Sequence, residues 1–312
     1  MNEIRVIAPS DSWKVKREGS YTRARERFEE AGYRISYSQN IKSLLHLGTA
    51  SAKLRAEDFN NAFADKNVSA VIALHGGFSA NEILPLINWD IVKNNPKPLI
   101  GYSDITVLVN AVHAKTGNTA FLGPNFGTNG YEDLWQYSIE GVLKVLSGQT
   151  SYTLHASKKH IDDDAIHISK PWNVLQKGTG EGKLLGGNIQ SFFLLQGTEY
   201  LPKFDCDYIL AIEDDSLSKE YTLHGLSRNL ESILQLPGAR KNIKGILIGR
   251  FELASKVSDS DLRSVISSKS LEVPVVSNVD FGHTTPMATL PIGGTLSIEA
   301  LTNTPVIKVI SY

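Results

Sequence analysis

Cysteine is almost missing from this chain. Cys206 is the only one among 312 residues, so no disulfide can form within the chain and no cysteine cage for zinc can assemble. Its place between Phe204 and Tyr208 predicts a small buried hydrophobe. Long apolar runs are lacking too: none approaches the roughly 20 residues that a membrane span needs. Residues 1–9 carry no basic stretch leading into an apolar one, so a secretory signal is not expected and a cytoplasmic location is. Excess charge of either sign is also absent. The 32 basic and 33 acidic side chains leave a formal net charge of -1, too little to recruit a nucleic acid polymer or an anionic membrane, and neither is expected as a partner. No internal repeat and no low-complexity tract is evident.

The sequence does hold ordinary globular proportions, 41% apolar and 21% charged, in a chain long for one core; two domains are the natural expectation. Ile4, Val6 and Ile7 predict a first buried strand. Tyr21, Ala24, Phe28 and Ala31 follow helical spacing, with Ser20 as N-cap and Gly32 at the C-terminal end. The apolar runs at 70–74 and 98–102 predict buried parallel strands, and 80–87 and 105–115 predict helices, the latter closed by Gly117. Alternation resumes after 182: a helix over 188–195, a strand over 208–212, a helix over 221–236, and strands at 245–248, 273–276, 295–298 and 306–310. Strand and helix alternating in this way predict an α/β fold with parallel sheets. The polar, turn-rich stretch between predicts a linker or exposed loop, giving an N-terminal domain over 1–155, a linker over 156–182 and a C-terminal domain over 183–312.

Open parallel sheets gather functional residues just beyond the carboxyl ends of their strands. Four segments put polar residues there. Ser103 follows a buried strand and precedes a helix, the setting of a nucleophile elbow whose helix N–H groups can stabilise an oxyanion. Ile105 stands where the usual G-x-S-x-G pattern ends in glycine. Serine is also a favoured N-cap, and this segment alone leaves that reading open. Gly76 and Gly77 end another strand and would let backbone N–H groups approach a ligand, or simply make a tight turn. His75 beside them reads as structural. Glu213 follows a buried strand directly, with Asp214 and Asp215 next to it; the one nearest the strand should be the most immobile, and Asp214 is a candidate for substrate contact. His283 lies in a turn-rich loop after the strand ending near Val276 and is the best placed base among eight histidines. His160, Asp162 and His167 match no standard metal-ligand spacing and read as a solvated loop. No metal and no cofactor is expected.

With Gly76, Gly77, Ser103, Glu213 and His283 in that order, the chain resembles the LD-carboxypeptidase family, which includes the muramoyltetrapeptide carboxypeptidases and the microcin C immunity serine peptidases. The likeness runs from IRVIAPS at 4–10 to the last strand. It is strongest in PLIGYSD at 98–104, LGGN at 185–188, IED at 212–214 and GHTTPMATLPIG at 282–293. The resemblance implies an N-terminal α/β domain carrying Ser103 as nucleophile and a C-terminal α/β domain carrying Glu213 and the general base His283. It further implies an oxyanion hole from the Gly77 region and the N–H of Asp104, a site near the domain junction and a homodimer. The implied substrate is the LD amide of a muropeptide or the amide of a peptidyl-nucleotide. The immunity branch carries an elaborated, aromatic-bearing loop, whereas 157–182 here offers only Trp172 as a large aromatic; HTTPMATLP at 283–291 is closer to the immunity branch. Two alternatives stand beside this reading: an esterase of the α/β-hydrolase type, using His75, Gly76 and Gly77 as an HGG oxyanion motif, and a non-catalytic protein that binds a small ligand.

Overall fold

The short apolar runs become strands that are buried on both faces, as parallel sheets require. In a computed structural model of the protein, which describes residues 2–312, Val68–Ala73, Leu99–Gly101 and Tyr208–Glu213 are buried almost throughout. The first sheet has six strands in the order Leu290–Ile292, Ala120–Leu122, Leu99–Gly101, Val68–Ala73, Glu3–Ile7, Arg34–Tyr37. All are parallel except Leu290–Ile292, which pairs antiparallel with Ala120–Leu122. The second sheet has eight strands. Its parallel centre runs Gly178–Asn188, Tyr208–Glu213, Ile243–Gly249, Val275–Val279, and antiparallel strands flank it on both sides. The two-domain α/β architecture expected from the sequence is therefore present. No helix among the described residues is long and apolar enough to cross a membrane.

One helix joins the two sheets. Thr106–Thr116 starts just after Ser103, and every residue from Thr106 to Val112 is buried, so it has no solvent face to make polar. Its buried Asn110 pairs with both main-chain groups of Gly186: Nδ2 donates to the carbonyl at 2.8 Å and Oδ1 accepts from the N–H at 3.1 Å. Thr106 Oγ1 accepts from the N–H of Asn188 at 3.0 Å. Gly117 closes the helix in the left-handed conformation, as its position predicted.

Three expectations need correction. The helix expected to start at Ser20 begins at Glu18; Ser20 lies inside it, its hydroxyl donating to the carbonyl of Arg17. Cys206 is exposed, because the chain reaches the regular strand only at Tyr208 and bends before it. The supposed linker is mostly strand: Lys159–Asp162 and Ala165–Ile168 form a hairpin, Asn173–Gln176 is an edge of the second sheet, and Gly178–Asn188 begins within it. Its polarity reflects short strands at edges, where one face meets water. The chain also crosses the expected domain limits, since Tyr152–Thr153 joins the second sheet and Leu290–Ile292 the first.

Candidate active site

Both sheets direct the carboxyl ends of their parallel strands at one cleft. From the first come Gly76, Gly77 and Ser103; from the second, Glu213 and the loop that follows Val275–Val279 and holds His283. Ser103 sits at φ +63°, a left-handed conformation that costs a non-glycine residue about 1–3 kcal/mol and is typical of functional turns. The strand before it and the buried helix after it leave no room for relaxation. Its side chain caps nothing. Instead Ser103 Oγ lies 3.0 Å from His283 Nε2, and His283 Nδ1 donates to Glu213 Oε2 at 2.8 Å. The three residues singled out in the sequence are thus brought into one hydrogen-bonded chain.

Glu213 is the last residue of its strand and is 1% exposed, against 17% for the His283 side chain. Gly282, at φ +113°, lets this approach happen, since a Cβ there would come within 2.9 Å of Glu213 Oε2. Burial works against charging the imidazole, but the Glu213 carboxylate outweighs it and raises the His283 pKa to about 9. The cleft in front of Ser103 has a volume of about 310 Å³ and is lined by Asp11, Lys14, Arg17, Gly77, Phe78, Asp215, Leu217 and Glu252. Beside it a groove of about 410 Å³ shares His283 and Glu252 and is walled by Glu132, Asp133 and the hairpin residues 161–164.

Residues 4–123 match the LD-carboxypeptidase N-terminal domain, and residues 181–298 the LD-carboxypeptidase C-terminal domain. YocD of Bacillus subtilis is 36% identical over 97% of this chain and 95% of its own. The microcin C7 self-immunity protein MccF of Escherichia coli is 32% identical over 80% of this chain and 77% of its own. The chain belongs to the LD-carboxypeptidase family. It is a serine peptidase by that membership, which sets aside both the esterase and the non-catalytic alternatives. A murein tetrapeptide carboxypeptidase of Pseudomonas aeruginosa, 26% identical, covers 87% of the chain with 85% of its own length. Among solved structures, an MccF-like protein from Bacillus anthracis has a TM-score of 0.96 at 32% identity, covering 100% of this chain and 97% of its own. MccF in complex with glutamyl sulfamoyl guanosine has a TM-score of 0.86 at 26% identity, covering 100% and 96%.

A Cβ on Gly76 would fall 2.9 Å from Ser103 Cβ and 3.4 Å from the backbone nitrogen of Asp104, so the glycine turn and the elbow touch. The Asp104 carboxylate is occupied elsewhere: it accepts from Ser10 Oγ at 2.5 Å and from the N–H of Ala80 at 2.8 Å. Asp214 does not meet the expectation of substrate contact. It is 2% exposed, does not line the cleft, and accepts from Gln190 Nε2 at 3.1 Å; burial, with help from the charges of Glu213 and Asp215, pushes its pKa up to about 7. Of the three adjacent acids Glu213, Asp214 and Asp215, it is Asp215 that lines the cleft, with Asp11 and Glu252. His75 is buried against Tyr21, whose hydroxyl it bonds, and burial lowers its pKa to about 3, which keeps the ring neutral.

Sequence reasoning missed Lys14, Arg17, Phe78, Leu217 and Glu252. Glu252 follows the strand Ile243–Gly249 by three residues, so the same carboxyl-end rule could have found it. It accepts from the N–H of Ser216 at 2.7 Å and so fixes the loop beyond Glu213. Phe78 and Leu217 carry no sequence signal; they stand out only because they are 81% and 67% exposed on the cleft. His160 and His167 face each other across the hairpin with ring centroids 5.4 Å apart, and His160 Nδ1 bonds Ser169 Oγ. Among the described residues, no group of three or more His, Cys, Asp or Glu is arranged to hold a metal ion.

Proposed function

We propose that Ser103, His283 and Glu213 are the triad of a peptidase that cleaves an amide near the C-terminus of a small peptide, with the LD amide of a muropeptide as its substrate. The observation that carries the reading is the continuous contact from Glu213 through His283 to Ser103, at 2.8 and 3.0 Å, opening on the cleft. His283, once neutral, takes the Ser103 proton as the hydroxyl attacks the carbonyl. Glu213 fixes the tautomer with Nδ1 protonated and steadies the imidazolium. N–H groups of Gly77 and Asp104 hold the tetrahedral oxyanion. His283 then gives its proton to the leaving nitrogen, and water, activated by the same ring, releases the acyl group. Both carboxylate-bearing and nucleotide-bearing leaving groups are anionic, and Arg17 and Lys14 on the cleft wall suit either.

Trp172 favours the muropeptide over the peptidyl-nucleotide. The only large aromatic of 157–182, it offers no face to a nucleobase from that segment, being 6% exposed with its Nε1 donating to Asp280 at 2.8 Å. The test is turnover of an LD-linked tetrapeptide and an aspartyl sulfamoyl nucleoside side by side, with fluorophosphonate labelling of Ser103. Faster release of D-alanine from the tetrapeptide supports the proposal; faster cleavage of the nucleoside conjugate overturns the substrate, and an unlabelled Ser103 overturns the nucleophile. The reading extends to a cytoplasmic homodimer acting in peptidoglycan recycling. Sedimentation of the purified chain and cell fractionation check its two parts.

A further inference from the structure

The loop carrying His283 is tied on both sides to one stretch of chain that belongs to neither parallel sheet. Three residues before His283, the fully buried Asp280 carboxylate accepts four hydrogen bonds. Two come from Ser157, through its N–H at 3.0 Å and its hydroxyl, and one from Trp172 Nε1 at 2.8 Å. The fourth comes from Arg250 Nη2, at 2.6 Å in an ion pair. Two residues after His283, Thr285 exchanges both main-chain hydrogen bonds with Ile161 of the hairpin, at 2.6 and 3.3 Å. The hairpin is fixed in turn, since Asp162 accepts from the N–H of Leu253 at 2.6 Å. A mere connector between two sheets needs none of this. The far side of the hairpin walls the groove that His283 also lines.

We infer that the segment 157–172 holds the catalytic base in register with Ser103, with Asp280 and Trp172 as positioning residues. The inference rests on the reading of Ser103 and His283 as nucleophile and base. A buried carboxylate with four donors is stiff, because freeing any donor leaves a desolvated group unpaired. The imidazole must be kept within about 0.5 Å of the productive geometry, and a loop that contains glycine beside the histidine cannot supply that stiffness alone. Holding the loop at both ends does.

The test uses Trp172→Phe, which removes one donor and keeps the aromatic bulk, and Ser157→Ala, which removes one hydroxyl. Both are assayed by the rate of fluorophosphonate labelling of Ser103 and by kcat and KM on the turned-over peptide. Each should lower labelling and kcat by about tenfold with KM within about twofold, as loss of alignment without loss of binding predicts. Ser157→Thr should restore most of the rate. Folded variants, judged by circular dichroism, that label and turn over at the wild-type rate would overturn the inference. Should Trp172→Phe fail to fold, Ser157→Ala decides. A wild-type protein unlabelled at Ser103 defeats the triad reading instead, so the two failures are distinct.

Discussion

The serine side and the histidine side of the cleft are built on different principles. Ser103 is set by what is next to it in the chain: a buried strand ends, a buried helix begins, and the turn between them is forced to φ +63°. His283 is set by residues far away in sequence, among them Ser157, Ile161, Trp172 and Arg250. Local steric constraint holds Ser103, and long-range polar contact holds His283. A rigid turn is robust to change elsewhere, whereas a ring held through polar contacts is open to adjustment by whatever touches them.

The largest expected effects test whether the two sides act as one device. Ser103→Ala should lower turnover by roughly four to six powers of ten, His283→Ala should be comparable, and the double variant little worse than either. Additive losses in single-turnover kinetics would separate the two sides. Next, Glu213→Gln should cost about 10⁴ in kcat, by analogy with a triad aspartate made asparagine. Asp215→Asn, at a cleft-lining residue whose Oδ1 accepts from the N–H of Leu217 at 2.9 Å, should cost less than about tenfold. The reverse order in kinetics of the purified variants would move the acid from Glu213 to its neighbour.

Gly76→Ala probes the steric side. Its Cβ would press on Ser103 Cβ at 2.9 Å and should lower kcat by about 10²-fold through misplacement of the hydroxyl. Wild-type turnover would show that the elbow has slack. On the histidine side, pH gives a two-way check. The His283 pKa is raised to about 9 in the fold, and in the proposed triad the ring works as a base only when neutral, so kcat should climb as pH rises through neutrality into the alkaline range. The stability contribution runs the other way: present in full below the ordinary histidine pKa of about 6.5, it is lost as pH rises toward 9. Rate profiles and denaturant titrations across that window check both signs, and a flat rate profile would count against a raised pKa. The smallest effect is expected at the seam. Asn110→Ala would strand both main-chain groups of Gly186 and should lower unfolding free energy by about 1–3 kcal/mol in urea titration, with kcat nearly unchanged.

The same division decides what could be read in advance. Ser103, Glu213 and His283 could be singled out as candidates because each stands at or just beyond the end of a buried strand, a pattern written in neighbouring residues, and the family resemblance drew the three together. The left-handed turn at Ser103 was not legible, since serine is no residue that favours a positive φ by its own preference. Asp280 gave no signal either. In sequence it is one more acidic residue in a turn, and its role exists only once Ser157, Trp172 and Arg250 converge on it. The hairpin within 156–182 was hidden for a related reason: exposed edge strands are short and polar, and they look like loop until a partner is known. Asp214 misled because closeness to a strand end says nothing of which way a side chain turns.

The strand Leu290–Ile292 has a consequence for how the molecule is made. It comes from the C-terminal part of the chain yet forms the edge of the first sheet, against Ala120–Leu122. During synthesis that edge must wait for roughly 170 further residues, about ten to thirty seconds at ordinary ribosomal speed. For that interval the outer edge of a fully apolar strand, paired on its inner side with Leu99–Gly101, stays open on the nascent chain, a natural place for a chaperone to bind or for two chains to associate wrongly. The loop holding His283 emerges only just ahead of this closing strand. His283 and the strand that completes the first sheet therefore emerge almost together, and a ribosome-bound fragment that stops short of residue 283 would have neither.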